Sequence, residues 1–291
     1  GTLIVMHDQF LGEELSADEN RMEDARFEVV PCGLEATVSY GTGAAQGPQA
    51  IIAASHQLER LANGQEPCAA GIFTHPAINC DQPIENVMAD LRAQTAAIAG
   101  RAHVPVTLGG EHSLSYGAVM GVVDALNGPL GLVHIDAHAD FRNAYQGHKH
   151  SHASVMHLLA AEGLPMASFG VRALASEEQT ARRAHGVITY DGPELVRGQI
   201  SSVQLPDDFP ENIYVSFDLD GLDPSVIPAT GTPVPGGLGF YQALDLVESC
   251  LQGRRCVGLD VVELAPIKGQ PVSDFTAAMV VYQLMSFCPI Q

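Results

Sequence analysis

Short apolar runs alternate with segments of helical periodicity along most of the chain. The run 104–108, for example, precedes residues 114–126, where apolar side chains recur at helical spacing and Ser113 is placed to cap the helix. Strands are predicted at 27–31, within 68–80, and at 104–108, 130–135, 167–171, 187–190, 213–217 and 256–262. Helices are predicted at 49–61, 83–100, 114–126, 176–185, 240–252 and 274–286, with another that ends near residue 162.

This alternation predicts the α/β class, with helices on both faces of a doubly wound, mostly parallel sheet. No low-complexity linker or internal repeat divides the sequence, so we expect a single domain over residues 1–291. Residues 1–25 are polar and acidic and are expected to form a loosely ordered lead-in. The glycine-rich segment 40–48 fits neither common phosphate-binding motif, which favours a plain connection from strand to helix over a phosphate cradle.

The strongest chemical signal is Asp136-Ala137-His138-Ala139-Asp140, directly after the apolar run 130–135. In an extended chain, residues two apart point to the same face, so Asp136, His138 and Asp140 would converge at the end of a strand. Two carboxylates and an imidazole in one place favour a positive occupant, and a divalent metal ion is the natural one. Taken alone, however, such a motif is also compatible with an ordinary turn.

Other strand ends carry residues of the same kind. His112 follows the run 104–108, Asp218 and Asp220 follow 213–217, and Glu263 follows the run 256–262. In such sheets, ligands bind beyond the carboxyl ends of the strands, which would bring these residues together. The four aspartates would need two divalent ions for charge balance, and an oxygen-rich set without cysteine favours manganese over structural zinc.

The neighbouring polar residues allow weaker conclusions. His134 lies deeper in its strand and is expected to be a core residue or to support a ligand, and Asp223-Pro224 favours a turn. The spacing alone does not choose a catalytic histidine among His148, His150, His152 and His157.

Composition limits the choice of partners. The formal net charge of −20 and pI near 4.7 argue against nucleic-acid or anionic-membrane binding, and reflect either solubility or attraction for a cationic substrate. The six cysteines lack a Cys-x-x-Cys pair and fit buried thiols in a reducing compartment. No apolar run approaches the roughly 18 residues of a membrane helix and no leader opens the sequence, so a cytoplasmic location is expected.

Together these residues resemble the ureohydrolase family, which includes arginases and agmatinases. The matching segments are Gly109-Gly110-Glu111-His112-Ser113, Asp136-Ala137-His138-Ala139-Asp140, Ser216-Phe217-Asp218-Leu219-Asp220-Gly221-Leu222-Asp223-Pro224, Ala229 to Leu238, and Gly258-Leu259-Asp260-Val261-Val262-Glu263. The resemblance implies a three-layer α/β/α domain with a mainly parallel eight-stranded sheet. It also implies two Mn²⁺ ions per chain, one held by His112, Asp136, Asp140 and Asp218, and the other by Asp136, His138, Asp218 and Asp220.

The resemblance further implies a reaction. A hydroxide shared by the two metals would attack the carbon of a guanidinium group, and collapse of the intermediate would release urea and an amine. Glu263 matches the glutamate that binds the guanidinium group. His152 aligns with the histidine that delivers a proton to the leaving amine.

Departures from the family pattern bear on the substrate. Glu111 stands where many members have aspartate, which leaves the role of His112 intact but changes its support. The segment 141–150 lacks the Asn- and Ser/Thr-rich pattern with which arginases hold a carboxylate, and this favours agmatine, cleaved to putrescine and urea. Arg142 and Lys149 could instead receive a carboxylate, which keeps guanidinobutyrate and formimidoylglutamate as alternatives.

The leading hypothesis is therefore an agmatinase-like enzyme of polyamine biosynthesis that takes a small cationic guanidino substrate. Alternatives are another ureohydrolase (a guanidinobutyrase, arginase or formimidoylglutamase), a single-zinc deacetylase of the same fold, or a metal-binding protein without catalysis. The resemblance also implies a homo-oligomer, a trimer or a hexamer.

Overall fold

The computed structural model describes residues 8–36, 42–143 and 150–288. The strands are β1 (Phe27–Cys32), β2 (Ile72–Thr74), β3 (Val104–Gly109), β4 (Leu130–Ile135), β5 (Met166–Phe169), β6 (Ile188–Tyr190), β7 (Asn212–Asp218) and β8 (Arg255–Val262). The α-helices are α1 (Gly47–Ser55), α2 (Ile84–Gly100), α3 (Ser115–Ala125), α4 (Val155–Ala161), α5 (Ser176–Ala184), α6 (Gly192–Arg197), α7 (Phe240–Cys250) and α8 (Val272–Met285).

The eight strands form one sheet in the order β2-β1-β3-β8-β7-β4-β5-β6, and every neighbouring pair is parallel. The predicted α/β class and sheet are therefore confirmed. β3, β8, β7 and β4 are neighbours at the centre, buried along most of their length. Parallel strands covered on both faces are apolar without alternation, which is why these runs were readable from the sequence.

Two apolar clusters hold the layers together. Successive residues of one strand enter different clusters, as Val215 and Tyr214 of β7 do, so the clusters lie on opposite faces of the sheet. The first cluster contains side chains of α1, α7 and α8, and the second contains side chains of α2, α3 and α4. This is the three-layer α/β/α arrangement expected above.

Several local predictions need correction. The segment 8–25 is ordered rather than loose, since it contains three short 3₁₀ helices (12–14, 18–20 and 22–24), and Phe10 and Leu11 are fully buried. Its position is fixed by backbone hydrogen bonds, because Phe10 donates to Thr74 Oγ1 (3.0 Å) and Leu11 donates to Ser55 Oγ (2.9 Å).

Other differences concern the ends of elements. α1 ends at Ser55 rather than near 61, the strand expected within 68–80 covers only β2, and α6 was not predicted. Ser113 does not cap α3, because its hydroxyl donates to Glu111 Oε1 (2.6 Å). In the glycine-rich segment, residues 42–46 lead through a 3₁₀ turn into α1, as expected for a connection, while Tyr40 and Gly41 lie outside the described residues.

Within the part of the chain that the structure describes, no helix combines the length and the apolar character that crossing a membrane requires.

Candidate active site

The predicted site residues lie at the carboxyl ends of the four central strands. His112 begins the 3₁₀ turn after β3, and Asp136 follows β4 directly. Asp218 ends β7, and Glu263 follows β8. Because β3, β8, β7 and β4 are consecutive neighbours in a parallel sheet, their carboxyl ends open on the same edge.

A first group forms around His112. Its Nδ1 atom lies 2.7 Å from Asp140 Oδ2, 3.1 Å from Asp136 Oδ2 and 3.3 Å from Asp218 Oδ2. All four side chains are buried. Asp140 adopts a φ of +53°, a left-handed conformation that is costly for a residue with a side chain and that recurs where function constrains the backbone.

A second group forms around His138. Its Nδ1 atom lies 3.0 Å from Asp220 Oδ2 and 3.4 Å from Asp136 Oδ1. Asp136 thus faces His112 with one oxygen and His138 with the other. The structure brings all six predicted metal-ligand side chains together, and it places Asp136 between the two histidines.

The electrostatics of this centre are those of crowded acids. Burial and the charge of Asp136 raise the pKa of Asp140 and of Asp218 well above the usual range. Burial opposes ionisation of Asp136, but its contacts with His112, His134 and His138 hold its pKa well below the usual range. Burial likewise opposes protonation of His138, yet Asp136 and Asp220 raise its pKa to about 12. Without another cation, protonated histidines must balance the carboxylates.

The residues fit a divalent metal. His112 Nδ1 and Asp140 Oδ2 are both buried and lack a hydrogen bond of good geometry, although they lie only 2.7 Å apart. A buried polar atom without a partner is costly, and a metal ion between such atoms satisfies both. Two sets of donor atoms are close enough to share an ion, namely those of His112, His134, Asp136 and Asp140 and those of Asp136, His138 and Asp220.

His134 supports the centre from inside β4. Its Nε2 atom lies 2.9 Å from Asp136 Oδ2, and its Nδ1 atom lies 3.0 Å from Ser168 Oγ. The sequence had placed His134 in the core or behind a ligand. The structure shows its side chain fully buried and in contact with Asp136, a predicted ligand. Asp223, by contrast, accepts from the backbone of Ser225 and Gly237 (3.0 and 2.9 Å), as expected for a turn residue.

Glu263 approaches the centre from β8. Its Oε1 atom accepts a hydrogen bond of 2.7 Å from the backbone N–H of His112, and its own φ is +75°. Burial raises the pKa of Glu263 to about 8, despite that hydrogen bond. A bound cation would favour the ionised form.

His152, the predicted proton donor, is separated along the chain from Asp140 by residues 144–149, which lie outside the described residues. His152 is half-buried in the turn that precedes α4, just after residues 144–149. His148 and Lys149 lie outside the described residues. His150 contacts the Tyr116 ring, and the His157 ring is stacked on Phe141, so both histidines pack against aromatic neighbours.

Sequence reasoning missed Arg172. This half-buried guanidinium donates to the carbonyl oxygens of Asp220 (2.8 Å), Gly221 (3.1 Å) and Val234 (2.8 Å), and to others nearby. It thereby joins the loop that carries Asp220 to the segment around 234. The sequence did contain a sign of it, because Gly170-Val171-Arg172 follows the fifth strand directly and so places an arginine at the carboxyl edge of the sheet.

Comparisons with known proteins agree with this centre. Residues 25–286 match the model of the arginase family. The N(1)-aminopropylagmatine ureohydrolase of Synechocystis sp. is 34% identical over 282 residues, covering 91% of this chain and 89% of the relative. An agmatinase of Pyrococcus horikoshii is 30% identical, covering 91% and 92% of the two chains. The solved structure of the agmatine ureohydrolase of Thermoplasma volcanium superposes with a TM-score of 0.79 at 29% identity, covering 97% of this chain and 95% of that one.

The match extends over the sheet, both helical layers and the acidic centre between the strand ends. The chain belongs to the arginase family of ureohydrolases, which are hydrolases of guanidino compounds.

Proposed function

We propose that the protein is a binuclear manganese amidinohydrolase that cleaves agmatine to putrescine and urea. The observation that carries this proposal is the position of Asp136, whose two carboxylate oxygens face two different histidines across a cluster of aspartates. A carboxylate so placed can hold two metal ions at once, and a single ion would leave part of the cluster without a partner.

The ligands divide between two ions. His112, Asp136, Asp140 and Asp218 would hold the first ion, and Asp136, His138, Asp218 and Asp220 the second. Oxygen-rich donors with two imidazoles suit manganese. When bound, the pair of ions supplies Lewis acidity and lowers the pKa of water, so that a nucleophile is available at neutral pH. His134 holds Asp136 in place for this role through the contact of its Nε2 atom with Asp136 Oδ2.

Glu263 would bind the guanidinium group. Its Oε1 atom is oriented by the backbone N–H of His112, and its Oε2 atom would accept from the substrate. A carboxylate accepts paired N–H bonds from a guanidinium, which fixes the plane of the substrate and aims its carbon. His152 would deliver a proton to the departing amine nitrogen, because an amine leaves poorly as an anion.

The tail of the substrate is expected to lack a carboxylate. Arg142, one of two cations that could receive such a group, has its Nη1 atom 3.3 Å from Glu177 Oε1 and its Nε atom 3.9 Å from Glu178 Oε1. This pairing supports agmatine over arginine, guanidinobutyrate and formimidoylglutamate. The net charge of −20 is consistent with a cationic substrate.

N(1)-aminopropylagmatine is the second candidate. It is agmatine lengthened by an aminopropyl group, and the Synechocystis relative at 34% identity is named for it. Both substrates share the guanidinium group and a basic tail, so the same metal centre and Glu263 would serve either.

A substrate panel with urea detection tests the proposal. Agmatine, N(1)-aminopropylagmatine, arginine, guanidinobutyrate and formimidoylglutamate are compared at equal concentration with manganese-loaded protein, and Asp136→Asn serves as the inactive control. We expect the highest rate with agmatine. A higher rate with N(1)-aminopropylagmatine would select the second candidate, and a metal-loaded protein inert on every compound would overturn the enzymatic proposal.

Metal analysis separates the proposed centre from that of a deacetylase. We expect two manganese ions per chain after loading, whereas one tightly held zinc ion would support the deacetylase alternative. The homo-oligomer, a trimer or a hexamer, and the cytoplasmic location remain predictions. Light scattering during size-exclusion chromatography tests the first, and cell fractionation tests the second.

A further inference from the structure

Two thiols lie close together at the carboxyl end of β1, near the loop that carries His112. Cys32 is the last residue of β1, and its Sγ atom lies 3.8 Å from Sγ of Cys80. Cys32 is buried, and Cys80 is half-buried in the segment between β2 and α2. All six cysteines lie in the described residues, and Cys80 is the one among them that is not buried.

The two cysteines differ in how firmly they are held. Cys32 pairs with Gly109 in the ladder between β1 and β3, whereas Cys80 lies outside the helices and strands. The Cys80 thiol donates to Ile78 O (3.5 Å), and the nearest hydrogen bond from this segment to β1 runs from Ile78 N–H to Pro31 O (2.9 Å). A disulfide has an S–S distance of about 2 Å, so the sulfur atoms must approach by slightly less than 2 Å. The Cys80 segment is the part able to move.

The backbone next to Cys32 packs directly against the loop that carries His112. A Cβ atom on Gly110 would fall 2.7 Å from Cys32 O and 2.5 Å from Leu34 N, so these backbones are in close contact. The N–H of Glu111 also donates to Leu34 O (2.7 Å). The new bond would draw the Cys80 segment towards β1 and pull on Cys32. Because closely packed backbone transmits displacement, that pull would reach the turn before His112.

We propose that Cys32 and Cys80 form a redox-responsive pair, and that their disulfide lowers the affinity of the proposed metal centre for manganese. This inference rests on the proposed metal centre, but it does not depend on which guanidino compound is the substrate. Cys80, the less buried of the two, meets the oxidant, and the buried Cys32 resolves the intermediate. The contact with Cys32 also lowers the pKa of the Cys80 thiol, which increases its share of reactive thiolate.

The chemistry balances with a small disulfide such as oxidised glutathione. The Cys80 thiolate attacks one sulfur of the reagent, forms a mixed disulfide and expels one glutathione thiolate. The Cys32 sulfur, giving up its proton, then attacks Cys80 Sγ and expels the second glutathione thiolate. The protein loses two protons and two electrons, and the reagent is reduced to two molecules of glutathione.

A second pair of thiols provides the comparison. Cys256 in β8 is close enough to Cys288 for their thiols to interact, but both are buried. Cys256 donates to Gly258 O (3.4 Å) and Cys288 to Leu284 O (3.7 Å). Since a thiol that a reagent cannot reach does not exchange, this pair should remain reduced in the folded protein.

The test uses the full-length manganese-loaded protein in defined mixtures of reduced and oxidised glutathione. Free thiols are then alkylated, disulfide-linked peptides are mapped by mass spectrometry, and manganese retained after dialysis is measured. We expect a Cys32–Cys80 cross-link, a manganese affinity lower by about tenfold, and recovery on reduction with dithiothreitol. Cys80→Ser should retain manganese under the same treatment, whereas Cys256→Ser should respond as the wild type does.

Peptide mapping of the wild type does not require a stable variant. Cys80→Ala replaces Cys80→Ser if the serine variant folds poorly. The proposal is overturned if Cys80 carries only glutathione without linkage to Cys32. It is equally overturned if the cross-link forms while manganese affinity is unchanged, or if Cys80→Ser loses manganese to the same extent as the wild type. None of these readouts requires urea release, so a failure of the proposed enzymatic activity would be seen separately.

Discussion

His112 Nε2 lies 2.8 Å from the hydroxyl of Ser216, on the side of the ring opposite the Nδ1 atom that faces the aspartates. Ser216 donates its own proton to Asp260 Oδ1 (2.9 Å), so it accepts from His112. Asp260 is buried and also accepts from Ser115 and Tyr214 (2.7 and 2.8 Å). This chain of hydrogen bonds keeps the ring proton on Nε2 and leaves the Nδ1 lone pair for a metal ion.

Ser216→Ala is therefore expected to lower manganese affinity by about tenfold to a hundredfold, because the variant no longer fixes the tautomer and orientation of His112. Calorimetric titration of metal-free protein with Mn²⁺ measures the effect. Ser249→Ala is the matched control, since Ser249 is half-buried and its hydroxyl bonds to the backbone of Val203 and Leu246. Equal affinities of Ser216→Ala and the wild type would show that His112 needs no such support.

Asp136→Asn should remove bound manganese and urea release together. The substitution keeps the size of the side chain but removes the charge shared by the two groups around His112 and His138. Metal content after loading and dialysis is the measurement, and Asp124→Asn, an exposed residue paired with Arg92, is the control. Retention of two metal ions by Asp136→Asn would contradict a bridging role.

His152→Ala should bind manganese normally but turn over slowly. A positioned general acid accounts for about 10²- to 10⁴-fold in rate, so kcat is expected to fall by an amount in that range. His56→Ala, an exposed histidine whose Nε2 atom contacts Gln9 O, controls for the loss of an imidazole. An unchanged kcat in His152→Ala would assign proton delivery to a different group.

Arg172→Lys should destabilise the protein by about 3 kcal/mol, because an ammonium group cannot reach the carbonyl oxygens on both loops and leaves several of them without donors. Denaturant titration in the presence of a chelator separates this effect from metal binding. Arg92→Lys, in an exposed pair with Asp124, is expected to change stability by less than about 1 kcal/mol. Similar losses of unfolding free energy in the two variants would show that Arg172 contributes no more to stability than an exposed arginine.

The sequence specified the sheet and its ligand edge well because both depend on local patterns. The central strands are buried on both faces and appear as apolar runs, and spacing of two residues placed Asp136 with His138 and Asp218 with Asp220. The predictions that were wrong concern features that depend on contacts between residues distant in sequence. Leu11 and Ser55 meet only after folding, so neither the order of the lead-in nor the early end of α1 was visible.

The hydrogen bonds that support His112 could not be predicted from the sequence for the same reason. Ser216 and Asp260 are polar residues inside apolar runs, which is itself a signal of a buried network. Their hydrogen bond nevertheless requires β7 and β8 to be neighbours in the sheet, and the sequence does not fix that order. The histidine for proton transfer was chosen by resemblance alone, since its segment has no periodic pattern.

A buried ionic cluster far from the predicted ligands gives the last prediction. Glu28 in β1 is fully buried and contacts His75 Nε2 (2.7 Å), His103 Nδ1 (2.7 Å) and the Arg101 guanidinium (2.6 Å). Burial disfavours its charge, but these three donors together lower the pKa of Glu28 to about 2. The ordinary value is 4.5, so the ionised carboxylate is the form that the folded protein prefers.

Because the folded pKa lies below the unfolded one, the contribution of Glu28 to stability is fully present above about pH 4.5 and disappears as the pH falls to about 2. A shift of this size corresponds to about 3 kcal/mol. Denaturant titrations of the wild type and Glu28→Gln with a chelator present should therefore differ in a pH-dependent way, with the wild-type advantage shrinking through that window. Glu162→Gln removes an exposed carboxylate that accepts from the Tyr116 hydroxyl, and it should show no comparable change. If the difference between wild type and Glu28→Gln stayed constant from pH 5 to pH 2, the three donors would not be holding an ionised carboxylate, and the cluster would contribute by packing alone.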